Sequence, residues 1–90
     1  MATREQVINA WVKGNRANTP NGSLSTNGRE LYSYRLPIGV KLDGSPVVLD
    51  YTAPAGHFMS QTTSTHVRLA ARSANDVMHP DAYFEAFPQR

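Results

Sequence analysis

The chain has no cysteine. Disulfides, a thiolate nucleophile and a sulfur-rich zinc site are therefore excluded, and the fold must rest on packing, hydrogen bonds or self-association. An intracellular protein is the simpler expectation. Long apolar runs are also missing: none approaches the ~20 residues that cross a bilayer, and residues 1–13 lack the cation-then-apolar order of a secretory signal. A soluble chain without a membrane partner is expected. Charge of one sign is scarce as well. The formal net charge is +2, and the 9 Lys and Arg residues are spread without a block of adjacent cations. That excludes a basic tail and leaves any nucleic-acid surface to be assembled by folding. With 90 residues the chain is read as a single domain, 1–90, too small to enclose a deep pocket within one copy.

Catalytic signatures are equally sparse. No Walker lysine motif, dinucleotide glycine fingerprint or Gly-x-Ser-x-Gly elbow occurs. His57, His66 and His79 never fall three or four residues apart, and Asp50, Asp76 and Asp81 do not complete a ligand set with them locally. No metal and no cofactor are expected. The Ser and Thr residues from Ser60 onward, which a nucleophilic mechanism would need, have the simpler role of helix capping.

What is present is secondary-structure patterning. Thr3-Arg4-Glu5-Gln6 has the form of a capping box. Val7, Ile8, Trp11 and Val12 then share one stripe and Gly14 can end the turn, which predicts a helix over about 4–13. Residues 14–22 read as a flexible loop. Asn27-Gly28 is the favoured dipeptide of a two-residue hairpin turn. Beyond it the alternation of Tyr32, Tyr34, Leu36, Ile38, Val40 and Leu42 against Ser33, Arg35, Pro37, Gly39 and Lys41 predicts one long strand with both tyrosines facing inward. Pro37 calls for an edge position or a bulge near Gly39. A turn at Asp43-Gly44 completes a hairpin of 30–42 with 46–52.

His57-Phe58-Met59 offers a further short strand. A second helix is predicted over about 63–76, with Val67, Ala70, Ala71, Ala74, Val77 and Met78 on its apolar side and the long strand lying between the two helices. Pro80 opens a short C-terminal helical segment. The fold expected is α+β, a small antiparallel sheet of three to four strands packed with these helices.

Three sets of residues are candidates for binding. Arg29, Arg35, Lys41, Arg68 and Arg72, with tyrosines on the hairpin, are the cations of a single-stranded nucleic-acid surface. Thr62, Thr63, Ser64 and Thr65, at the start of the second helix, are donors for an anion or small ligand, with Arg68 nearby. Tyr83, Phe84 and Phe87 form an aromatic patch for a protein partner or for a second copy in a small homo-oligomer.

The segments Leu24-Ser25-Thr26-Asn27-Gly28, Leu31-Tyr32-Ser33-Tyr34, Ile38-Gly39, Val48 to Thr52 and Thr62-Thr63-Ser64 with His66 resemble a group of small bacteriophage proteins. The resemblance spans roughly residues 24–76 and carries no catalytic or binding residues. It implies a viral source and an accessory role during infection of a bacterium. The absence of a catalytic constellation, the small size and the aromatic C-terminal segment add the expectation of a protein that is not an enzyme and that binds and modulates a host protein in the cytoplasm of the infected cell. Nucleic-acid binding and anion binding are the alternatives.

Overall fold

The computed structural model describes residues 3–51 and 61–86. The strand expected at His57-Phe58-Met59 and the patch residue Phe87 lie outside them. The described chain is α+β, with helices α1 (Arg4–Lys13), α2 (Gln61–Ala71) and α3 (Pro80–Ala86). Its strands are β1 (Arg16–Asn18), β2 (Leu24–Asn27), β3 (Leu31–Ser33), β4 (Leu36–Leu42), β5 (Ser45–Leu49) and β6 (Asp76–Met78). They form one sheet in the order β1-β2-β3-β4-β5-β6. Neighbours are antiparallel except β5 and β6, which run parallel. A parallel pair cannot be joined by a tight turn, and α2 lies in the connection between these two. The sheet thus has more strands than the three to four expected and is mixed.

The predicted capping box is formed. The Gln6 N–H donates to Thr3 Oγ1 at 3.2 Å and the Thr3 N–H to Gln6 Oε1 at 2.9 Å. At the other end Gly14 takes φ 84. Its N–H donates to the Trp11 carbonyl and the Asn15 N–H to Ala10, the paired bonds of a Schellman stop. Val7, Ile8 and Trp11 are fully buried. At roughly 1.5–3 kcal/mol for each large apolar side chain removed from water, this docking, and not helix propensity, holds so short a helix.

Residues 14–22 are not loop throughout. β1 pairs with β2 through Arg16↔Asn27, Ala17↔Thr26 and Asn18↔Ser25. Thr19 is buried and exchanges hydrogen bonds with Leu24. The Asn27-Gly28 turn is longer than two residues. Thr26 pairs with Leu31, and Asn27 Oδ1 accepts from the N–H groups of Arg29 and Glu30, so the Asn side chain organises a wider turn.

The largest departure concerns the long strand. A turn at Tyr34-Arg35 divides it, with Ser33 paired to Leu36 across the break. The inward set is therefore Leu24, Thr26, Leu31 and Ser33, all buried, while Tyr32 is only partly buried and Tyr34 is 57% exposed. The alternation was real but ran in the opposite phase before the turn. Pro37 is accommodated by the bulge alternative: Leu31 pairs with Gly39 but Tyr32 with Pro37, which leaves Ile38 without an opposite residue. The return strand is Ser45–Leu49, shorter than 46–52. The Asp43-Gly44 turn forms as expected, with φ 52 and 80.

Helix α2 begins and ends earlier than 63–76, and Asp76–Met78 is strand β6, so Val77 is 44% exposed instead of lying on a helical apolar face. The sheet does not separate α1 from α2. Leu31 and Gly39 meet Trp11 of α1, whereas Ser33 meets Thr63 and His66 of α2. Residues 31 and 33 share a face, so both helices lie on the same side. Val40 and Leu49, one residue on from Gly39 and Val48, point to the other side and there meet Tyr83 and Phe84 of α3.

Candidate binding cleft

An open cleft of about 800 Å³ lies where four chain segments meet on the helix side of the sheet. Thr3, Arg4 and Glu5 come from the start of α1, and Thr19, Pro20, Asn21 and Ser23 from the β1–β2 connection. Tyr34 comes from the β3–β4 turn, and Thr62 and His66 from α2. Each is placed by an element described above. The capping box sets the first turn of α1. The β1–β2 connection is tied by the Thr19 hydroxyl, which donates to Asn21 Oδ1 at 3.0 Å and accepts from the Leu24 N–H at 3.2 Å.

Beneath the cleft lies a buried polar network. Ser33 Oγ is 2.8 Å from His66 Nδ1 and 3.0 Å from Thr63 Oγ1. All three residues are almost wholly enclosed. The network links β3 to α2 and satisfies groups that would each cost roughly 1–3 kcal/mol if left unpaired. Burial, and then the nearby Arg4 guanidinium, push the His66 imidazole below its ordinary pKa, which favours the neutral ring. A Ser–His contact invites comparison with hydrolases, but Ser33 is 1% exposed and its oxygen serves two neighbours. A nucleophile has to reach its substrate. This hydroxyl is a structural group.

The charged groups at the mouth are differently placed. Arg4 and Glu5 are exposed, and neither side chain has a hydrogen-bond or ion-pair partner among the described residues. Tyr34 stands over the same space, its N–H donating to the Ser23 carbonyl at 2.8 Å.

The residues singled out from the sequence are distributed as follows. Of the anion-binding set, Thr62 alone lines the cleft. Thr63 and Ser64 are buried, and Thr65 is exposed and donates to the Gln61 carbonyl within the helix. Ser64 Oγ has no partner among the described residues. Of the cations, Arg29 and Arg35 lie at opposite ends of β3, and Lys41 Nζ donates to the Val12 carbonyl at 3.3 Å. Arg68 is exposed on α2, and Arg72 is exposed in the turn just past its end, beside a groove shared with α1. In the aromatic set, Tyr83 and Phe84 pack edge to face with centroids 5.4 Å apart and rest against the core, so part of their surface is already covered. Among the described residues no cluster of His, Asp and Glu could hold a metal ion, and no helix is long and apolar enough to cross a membrane.

Sequence reasoning passed over Arg4 and the Ser33–His66 contact, and it placed Tyr34 on the inward face, whereas the residue is 57% exposed. A signal for the contact existed: Thr63, His66, Val67 and Ala70 recur at helical spacing, which marks His66 as inward-facing. Nothing local foretold that Ser33 would be its partner, thirty-three residues earlier.

Comparison with known proteins adds no relative. No protein-family model, curated protein or solved structure matches the chain.

Proposed function

We propose that this chain is a non-enzymatic binding protein that captures an anionic group of its ligand or partner in the cleft beside Arg4. The observation that carries the reading is the guanidinium of Arg4, unpaired among the described residues, at the mouth of a cleft that also offers the Thr62 hydroxyl. A guanidinium without a carboxylate partner is a ready donor for carboxylate or phosphate oxygens. The depressed imidazole of His66 supports the proximity of that positive charge to the cleft floor. Glu5, also at the mouth, disfavours ligands of high negative charge and favours a single anionic group. Together with the resemblance to bacteriophage proteins, the reading assigns that group to a component of an infected bacterium, in keeping with an accessory role.

Titration of isotopically labelled protein with inorganic phosphate and with acetate tests it. Resonances of Arg4, Thr62 and His66 should shift together, and Arg4→Gln should weaken the response about tenfold or more, as expected for loss of a hydrogen bond to a charged group. An unchanged spectrum, or an Arg4→Gln variant that responds like the parent, would refute the reading.

A further inference from the structure

Tyr34 is the residue whose placement packing does not explain. It occupies the first position of a two-residue turn at φ 58, while Arg35 is not among the residues of positive φ. In hairpin turns with that sign pattern glycine is the usual occupant, because a side chain there crowds its own backbone. A tyrosine in this conformation would be tolerable if its ring were buried and held by the core. It is instead 57% exposed, the more exposed of the two large apolar or aromatic side chains that stand out from the described surface. Tyr34 lines the cleft that Arg4, Thr62 and His66 also line. Non-glycine residues held in the left-handed region gather at ligand clamps, where the surroundings hold the strained residue in place. Here the hydrogen bond from the Tyr34 N–H to the Ser23 carbonyl does so.

We propose that Tyr34 is a stacking platform and that the ligand is a planar ring bearing one anionic group, the ring lying on Tyr34 and the anion at Arg4. The inference rests on the anion-binding reading above and extends it to the ligand's other half. A flat π-face is what an exposed tyrosine offers, and stacking on it tolerates many ring types. The hydroxyl of Thr62 and the amide nitrogen of Asn21, which makes no hydrogen bond among the described residues, remain for polar substituents. The cleft's volume of about 800 Å³ is ample for a ligand of nucleotide size.

Three probes separate the two claims: inorganic phosphate, ribose 5-phosphate and adenosine 5′-monophosphate, each titrated by nuclear magnetic resonance into the parent, Tyr34→Phe, Tyr34→Ala and Tyr34→Gly. The nucleotide should bind about tenfold or more tightly than ribose 5-phosphate, and Tyr34→Phe should keep that advantage. Tyr34→Ala and Tyr34→Gly should lose it while still binding phosphate. Tyr34→Gly also relieves the positive φ, so it should fold at least as stably as the parent and report binding even if the alanine variant does not fold. Equal binding of nucleotide and ribose 5-phosphate, or a glycine variant that retains the advantage, overturns the platform while Arg4-dependent phosphate binding preserves the anion site. Failure of all three probes to bind overturns both.

Discussion

Gly39→Ala is the substitution on which the packing of α1 can be judged most sharply. An added Cβ would lie 2.7 Å from Trp11 Cζ2 and 2.9 Å from both Trp11 Cη2 and Leu31 Cβ, where ordinary contact begins at 3.4 Å. The indole would have to retreat by roughly 0.7 Å in an interior packed like a crystal. It is not free to do so. Trp11 is fully buried, and its Nε1 donates to the Arg29 carbonyl at 2.9 Å. Overpacking typically costs about 1–3 kcal/mol, and stretching that hydrogen bond adds about 1 kcal/mol. A loss of about 2–4 kcal/mol follows, equivalent to about 10–25 °C in Tm for a domain of this size. Urea denaturation followed by far-ultraviolet circular dichroism measures it. The Trp11→Phe background provides the internal check, since phenylalanine lacks Cζ2, Cη2 and the indole N–H. There Gly39→Ala should cost less than half as much, a coupling that a double-mutant cycle resolves. A Gly39→Ala variant within about 0.5 kcal/mol of the parent, with an unchanged denaturant slope, would refute the described contact between α1 and β4.

Two further outcomes are expected. Thr3→Ala removes the hydroxyl that accepts from the Gln6 N–H and should lower stability by about 1 kcal/mol, read as an earlier thermal midpoint. Stability should also depend on pH through His66. Its folded pKa lies below the unfolded value because burial and Arg4 disfavour the charged ring, so the unfolded chain binds the proton more readily. This contribution is fully present above about pH 6.5, the ordinary histidine value, and is lost as pH falls through the lower folded pKa. His66→Gln should flatten that part of the profile, and a variant whose profile matches the parent's would show that His66 is not the group responsible.

The elements that were legible in the sequence are those whose cause is local. Thr3 and Gln6 lie close enough to cap one helix, Gly14 can end it, Asp43-Gly44 can adopt the positive φ values of a tight turn, and Pro80 suits a helix start. The α+β class follows from these together with the alternation beyond Tyr32. Other elements depend on distant partners. β1 carries almost no apolar side chain and exists because β2 lies beside it. β6 resembles the tail of α2 in periodicity, and only pairing of Asp76–Met78 with Val47–Leu49 makes it a strand.

The same division governs the cleft. Arg4, Tyr34, Thr62 and His66 could each be seen in the sequence, and the absence of cysteine and of nucleotide-binding motifs could be read from it directly. Their convergence could not, because they come from three separated stretches of chain. What chose the outward face for Tyr32 was the demand that Leu31 and Ser33 face α1 and α2. A strand's period is two, so any single turn or bulge reverses which residues are buried. That reversal is decided by what the opposite face must pack against, which is a property of the assembled sheet.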